Sequence, residues 1–327
     1  MRYSSIGTWL RHCIDPLGPR TTGALRFTLS PRQARKLLRK AETHHVLSPV
    51  LRTLPLPAQD PAFDQIRQEA DSTRIAALAL SAMLNQHATR ILDGTKGLPV
   101  TIVKGPTFAR RIYPNAGLRP FTDLDLLVRP EASAQLDSVL SDQEFIRVKT
   151  GLEPGRLETK WIHRTTGALV EVHTDLVHER RMRTAFSLTY QDLEGQDQSP
   201  AAMLAVAVTH GTTHFFAWLR HVVDICQAAR ALPPEEEARF EALTLRTGTR
   251  FAAIVGLTLA YRVVGEPRCL DIAQALGPIR HARIAQVLSQ GADLTATSNS
   301  WLLYNTWRRF LFSELLRYGG LPQHPGV

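Results

Sequence analysis

The segment Thr122-Asp123-Leu124-Asp125-Leu126-Leu127-Val128 alternates acidic and apolar residues and ends at Arg129-Pro130. In extended backbone, successive side chains point to opposite faces, and residues two apart share a face about 6.6 Å from one another. Asp123 and Asp125 therefore project together, while Leu124 and Leu126 point into a core. Two like charges so close raise each other's pKa unless cations sit between them. Oxygen ligands on a rigid strand suit Mg²⁺, which takes one or two carboxylates and completes its shell with substrate phosphates.

This strand lies in a stretch of mixed character between two helical ones. Pro31 to Leu54 carries Ala34, Leu37, Leu38 and Ala41 at helical spacing, opened by Ser30-Pro31. A second helical pattern runs from Pro61 to Leu92 and is closed by Gly94 and Gly97. The texture changes at Leu98. Pro99–Val103, Phe145–Val148 and Ala168–His173 read as strands, and Thr107–Tyr113 and Glu131–Leu140 as short helices. From Ser199-Pro200 the chain turns helical again, through Phe215, then over Leu219–Leu232, Pro234–Leu245, Arg250–Val264 and Ser300–Leu316. The tail from Gly319 is rich in Gly and Pro and is read as loose. The expected organisation is a helical region over 1–95, an α/β core over 96–195 and a helical region over 196–327.

Composition narrows the class. At 327 residues, 44% hydrophobic and 21% charged, the chain is globular and long enough to bury a sizeable core. No apolar run reaches the roughly 18 residues of a membrane span, and Arg11, His12 and Asp15 interrupt any signal core. The reading is a soluble cytoplasmic protein without membrane partners. Cys13, Cys226 and Cys269 form no CxxC pair and are read as buried thiols. The net charge of +9 favours phosphate-rich partners such as nucleoside triphosphates or RNA.

Two further stretches complete a site. Ala168-Leu169-Val170-Glu171-Val172-His173 offers a third carboxylate, Glu171, flanked by valines that face a core. A pair of metals about 3.5–4 Å apart can clamp the attacking and leaving oxygens of an in-line displacement at phosphorus. The turn Lys104-Gly105-Pro106-Thr107 sits between a strand and a helix. Gly105 permits close backbone approach, the helix start offers N–H groups to phosphate, Thr107 a hydroxyl, and Lys104 a positive charge.

In this order the parts resemble the nucleotidyltransferase superfamily related to DNA polymerase beta, and within it a large bacterial branch. The resemblance rests on Lys104-Gly105, Tyr113-Pro114, Arg119-Pro120, Asp123-Leu124-Asp125 and Glu171-Val172-His173. It continues into His210–Asp224 through His214, Trp218, Leu219 and Asp224, and so covers about residues 98–230. Pro106-Thr107 stands where many members have Gly-Ser or Ser. The resemblance implies an α+β fold: a small nucleotidyltransferase-type mixed sheet with helices, flanked by N- and C-terminal helical regions. It implies transfer of a nucleoside monophosphate from an NTP, with ATP preferred, to an acceptor, releasing pyrophosphate. Asp123, Asp125 and Glu171 would be catalytic and would hold Mg²⁺ or Mn²⁺. Lys104, Gly105, Thr107 and Arg119 would bind the nucleotide. The rival readings on the same fold are a non-catalytic nucleotide-binding regulator and a kinase-like phosphoryl transferase.

Other clusters are weighed against plainer explanations. His210, His214 and His221 fall near one helix face, but no HExxH pattern accompanies them, and packing behind the site is favoured over zinc. In that reading Asp224 pairs with a basic residue or positions the site strands. Arg180, Arg181 and Arg183, like Arg110 and Arg111, are either solvated or contacts to triphosphate or RNA. Basic residues are scattered and no aromatic residues interleave them, which favours a small molecule, peptide or protein acceptor over tRNA. The absence of GxxxxGK[ST], GxGxxG after a strand, and GxSxG removes the main support for P-loop, Rossmann and α/β-hydrolase readings.

Overall fold

Helix start and stop signals place most elements. The computed structural model describes residues 5–18, 29–57, 60–148, 157–177, 180–195 and 197–277. The N-terminal part holds α1 (Ser5–Cys13), α2 (Pro31–Thr43), α3 (Leu47–Thr53) and α4 (Pro61–Gly94). Ser30 caps α2 through a reciprocal box with Gln33, and Asp60 accepts from the Ala62 N–H at the start of α4. The pattern expected to run from Pro31 to Leu54 breaks in the middle. His45 adopts φ 56°, and Pro49, which has no N–H to give to a continuing helix, falls in the first turn of α3.

The mixed section follows as β1 (Val100–Val103), α5 (Gly105–Arg111), β2 (Leu124–Val128), α6 (Ser133–Asp142), β3 (Phe145–Arg147), β4 (Glu158–His163) and β5 (Leu169–His173). Short turns α7 (Arg180–Arg183) and α8 (Tyr190–Leu193) lead to α9 (Pro200–Thr213), α10 (Leu219–Ala231), α11 (Glu237–Arg246), α12 (Arg250–Val264) and α13 (Pro267–Leu276). Strand β4 and helices α1 and α13 were not expected from the sequence. The helix expected over Ser300–Leu316 and the tail from Gly319 lie outside the described residues.

The five strands form one mixed sheet in the order β1-β2-β5-β4-β3, with β2 and β5 parallel and the other neighbours antiparallel. The fold is therefore α+β, with helices on both sides of the sheet in sequence and in space. Leu124, Leu126 and Val128 share one face with Val170, Val172 and Trp161, and bury it against Leu84, Ala88 and Ile91 of α4 and Leu136 and Leu140 of α6. The opposite face carries Val103 and Leu127 into a larger core with Phe108, Tyr113 and the C-terminal helices. Cys13, Cys226 and Cys269 are free and buried, as expected. No helix among the described residues is long and apolar enough to cross a membrane.

The glycine of α9 shows how tightly the C-terminal helices close. A Cβ on Gly211 would stand 2.8 Å from the Phe216 ring, so that ring lies directly over the helix backbone. Phe215 and Phe216 both adopt left-handed backbone (φ 52° and 51°) to make the turn into α10. Such conformations cost non-glycine residues energy and persist only where packing over-determines them.

Leu126, at 0% exposure, is the centre of the α4–α6 core. Leu126→Ala is expected to lower unfolding stability by about 2–5 kcal/mol, read as a lower midpoint in urea with an unchanged slope. A change under about 0.5 kcal/mol would contradict this packing.

Candidate functional site

Sheet register, rather than sequence proximity, assembles the polar face. Asp125 on β2 is directly opposite Glu171 on β5, and Glu171 is opposite Lys160 on β4. His173 pairs in register with Glu158, placing both on the same face. Alternation on three strands thus converges on one patch. Among the described residues, one group of three donors has ligand atoms all within 4.8 Å of one another: Asp125, Glu171 and His173.

Asp125 and Glu171 come together, but β2 starts at Leu124, so Asp123 precedes the strand and is not in that group; His173 takes the third place. Asp123 still faces Asp125 electrostatically. Burial and the Asp125 charge push its carboxyl above the usual range, opposed by Lys104, Arg220 and Arg119. Glu171 is raised as well, by burial and by Asp125 and Glu158, against the lowering effect of Lys160.

Asp125 goes the other way. Burial disfavours its charge, but Lys104 and the hydrogen bond from His173 outweigh burial and hold it well below the ordinary carboxylate range. The Lys104 ammonium lies 2.7 Å from Asp125 Oδ1, and His173 Nε2 lies 3.1 Å from the same oxygen. Lys160 bridges the other carboxylates, paired with Glu171 and, at 3.1 Å, with Glu158. Two carboxylates at the centre of the patch are thus each matched by a lysine from an adjoining element.

The Lys104–Gly105 turn is conformationally unusual. Lys104 has φ 60° and ψ −139°, and Gly105 has φ 33°. A Cβ on Gly105 would meet only ordinary contacts, the nearest being the Asp123 carbonyl oxygen at 3.5 Å, so it is backbone conformation and not crowding that favours glycine there. Thr107 does not present a free hydroxyl, because its Oγ1 donates to the Ile102 carbonyl at 3.1 Å. Arg119 is also committed. Its Nε and Nη2 each donate to Asp224 at 2.7 Å, and its Nη1 reaches the Gly105 carbonyl at 3.4 Å. Tyr113 donates to the same Asp224 carboxylate at 2.7 Å. Arg119 and Asp224 are 3% and 1% exposed, so this forked pair ties the turn to α10 from inside the protein. The expectation that Asp224 pairs with a basic residue holds.

The remaining basic candidates sit elsewhere. Arg110 and Arg111 donate to Asn85 and Gln198, at exposed positions. Arg180 to Arg183 forms one short helical turn, α7, with Met182 buried. Three residues near the site were missed in the sequence: Glu158, Lys160 and Arg220. Arg220 donates to the Pro120 carbonyl at 3.2 Å and is among the cations that oppose the Asp123 shift. Its position between Trp218 and His221 was the available signal. His173 was quoted within Glu171-Val172-His173 but given no role, although alternation alone places it on the face of Glu171.

The three histidines cluster, with ring centroids 4.7 Å (His210–His221), 4.8 Å (His210–His214) and 5.3 Å (His214–His221) apart. They do not form a donor group of the kind seen at Asp125.

A family model described as uncharacterised nucleotidyltransferase matches residues 30–265. The chain belongs to this family. The match extends the resemblance from 98–230 outward to α2, α3 and α4 on one side and α11 and α12 on the other, so the flanking helices are part of the family's unit. No curated protein and no solved structure matches the chain. Family membership together with the acidic donor group supports a role in nucleotidyl transfer.

His214 supplies a pH test of the cluster. Burial, helped by Lys104, lowers its pKa from 6.5 to about 4. A neutral imidazole in the folded state stabilises it fully above pH 6.5, and that contribution is lost as pH falls through 6.5 toward 4. The wild-type chain should therefore lose more stability than His214→Gln between pH 7 and pH 4 in denaturant titrations. Parallel losses in the two proteins would contradict the placement of this ring.

Proposed function

We propose that the chain transfers a nucleoside monophosphate from an NTP, with ATP preferred, to a small molecule, peptide or protein, releasing pyrophosphate. The observation that carries this reading is the register match of Asp125 and Glu171 on adjacent parallel strands, beside the Lys104–Gly105 turn. Carboxylate oxygens gathered on a rigid face are the donors that Mg²⁺ and Mn²⁺ prefer, and the residues present fit such an ion. Asp125 and Glu171 would hold it, with Asp123 available for a second. A divalent cation bound there supplies neutralisation of the triphosphate charge.

The protein's own groups do the rest. An acceptor oxygen or nitrogen attacks the α-phosphorus, and the bond from that phosphorus to the bridging oxygen breaks. Its electron pair leaves with pyrophosphate. Glu171, whose carboxyl is already raised toward proton acceptance by burial and by Asp125 and Glu158, takes the acceptor proton. His173 orients Asp125 through the hydrogen bond they share. Lys104 and Gly105 take the triphosphate, while Thr107 and Arg119 hold the turn from beneath through Ile102 and Asp224. Positioning and charge neutralisation carry most of the acceleration.

The test uses the full chain with α-labelled and γ-labelled ATP, CTP, GTP and UTP, Mg²⁺ or Mn²⁺, and fractionated cell extract. The expected outcome is transfer of the α label with pyrophosphate release. Folded Asp125→Asn and Glu171→Gln should each lose at least about 100-fold, since altering even a supporting residue of a metal site costs 10–100-fold. Transfer of the γ label would make the protein a kinase, and undiminished transfer by both variants would remove these carboxylates from the chemistry.

A further inference from the structure

Five rings gather where α2 and α3 meet the α9–α10 turn: His45, His210, His214, Trp218 and His221. Trp218 lies 5.1 Å from His45, 5.6 Å from His214 and 5.2 Å from His221, measured between centroids. His214 and His221 stack with only 20° between their planes. His214 and Trp218 are half-buried and His45 is exposed, so the cluster has an open side, whereas His221 is fully buried. Both ring nitrogens of His221 lack a hydrogen-bond partner among the described residues. Buried polar atoms are rarely left so, and such an orphan calls for a partner, whether water or a bound group.

The backbone around the rings is held in unfavourable conformations. His45, Phe215, Phe216 and Lys104 all have positive φ. Strain of this kind concentrates at ligand-binding positions. Charge completes the picture. Lys104 and Arg220 both act on His214 and His221, and Asp125 and Glu158 also act on His214, so the rings adjoin the charged patch and its two cations. Arg220 stands between Trp218 and His221 in sequence and reaches Pro120, just ahead of Asp123. A molecule suited to this surface has a flat heteroaromatic head and a polyanionic tail.

We infer that the His214–Trp218–His221 cluster is the nucleobase subsite, which stacks the base of the NTP while Lys104 and Arg220 face its phosphates. The inference rests on the nucleotidyl-transfer reading and adds to it the element that separates a nucleotide from a bare polyphosphate. Stacking on an aromatic ring tolerates every base, so the subsite gives affinity more than base selectivity.

Titration calorimetry on the full chain separates the two ideas. The probes are the four Mg-NTPs and inorganic Mg-tripolyphosphate, with wild type, Trp218→Ala and Trp218→Phe, each checked for folding by circular dichroism. Trp218→Ala should weaken the tightest-binding NTP by about ten-fold or more and leave tripolyphosphate affinity unchanged, and Trp218→Phe should recover most of the loss. Should Trp218→Ala bind the nucleotide as tightly as wild type, or lose nucleotide and tripolyphosphate by one factor, the base subsite is overturned while the triphosphate site stands. Wild type binding neither probe would overturn the nucleotidyl-transfer reading and the subsite with it.

Discussion

Gathering carboxylates on one dry face of a sheet is the constraint on which this structure turns. Asp125 and Glu158 are buried, Glu171 is largely so, and all three lie on adjoining strands. Uncompensated, charges removed from water in this way cost several kcal/mol each. Lys104 and Lys160 answer the problem, each placed by an element next to the carboxylates it neutralises. The folded state therefore carries its own counter-ions. On the proposed function, Asp125 and Glu171 would exchange their lysines for a divalent cation, and the lysines so released would be free for the phosphates.

The helical regions on either side serve that face. The long helix α4 and the short α6 bury the apolar side of the sheet, which leaves the aspartate side of β2 turned toward the site. On the other side, α10 delivers Asp224 to Arg119, and Arg119 reaches the Gly105 carbonyl. The strained Lys104–Gly105 turn is thereby held by a buried forked ion pair from a helix more than a hundred residues away. Breaking a pair of this kind on one side leaves a buried charge uncompensated, typically at about 3–5 kcal/mol. The family match over residues 30–265 agrees with this dependence, since it takes in the helices as well as the sheet.

Much of this was legible in the sequence because local patterns and long-range packing agree. The alternation over Leu124–Val128, the start signals at Ser30 and Ser199, and the alternation around Glu171 each mark an element that forms. What escaped notice did so for physical reasons. In β4, Glu158 and Lys160 fill the site-facing positions, so charge masks a strand whose inward residues are Thr159, Trp161 and His163. The break at His45 depends on a backbone angle that composition does not encode, and Asp123 falls one residue before β2 begins. Thr107 and Arg119 were expected at phosphates because their types suit phosphates. Their actual partners, Ile102 and Asp224, are set by tertiary packing.

On the proposed function, Asp125 and Glu171 together hold a divalent cation in exchange for Lys104. Anomalous diffraction from crystals of the full chain grown with Mn²⁺ and a non-hydrolysable ATP analogue measures this directly. The account predicts a manganese peak bound by Asp125 and Glu171, with the Lys104 ammonium moved from its 2.7 Å contact with Asp125 toward the phosphates. Manganese found only at exposed carboxylates, with the Lys104–Asp125 pair intact and nucleotide bound elsewhere, would contradict it.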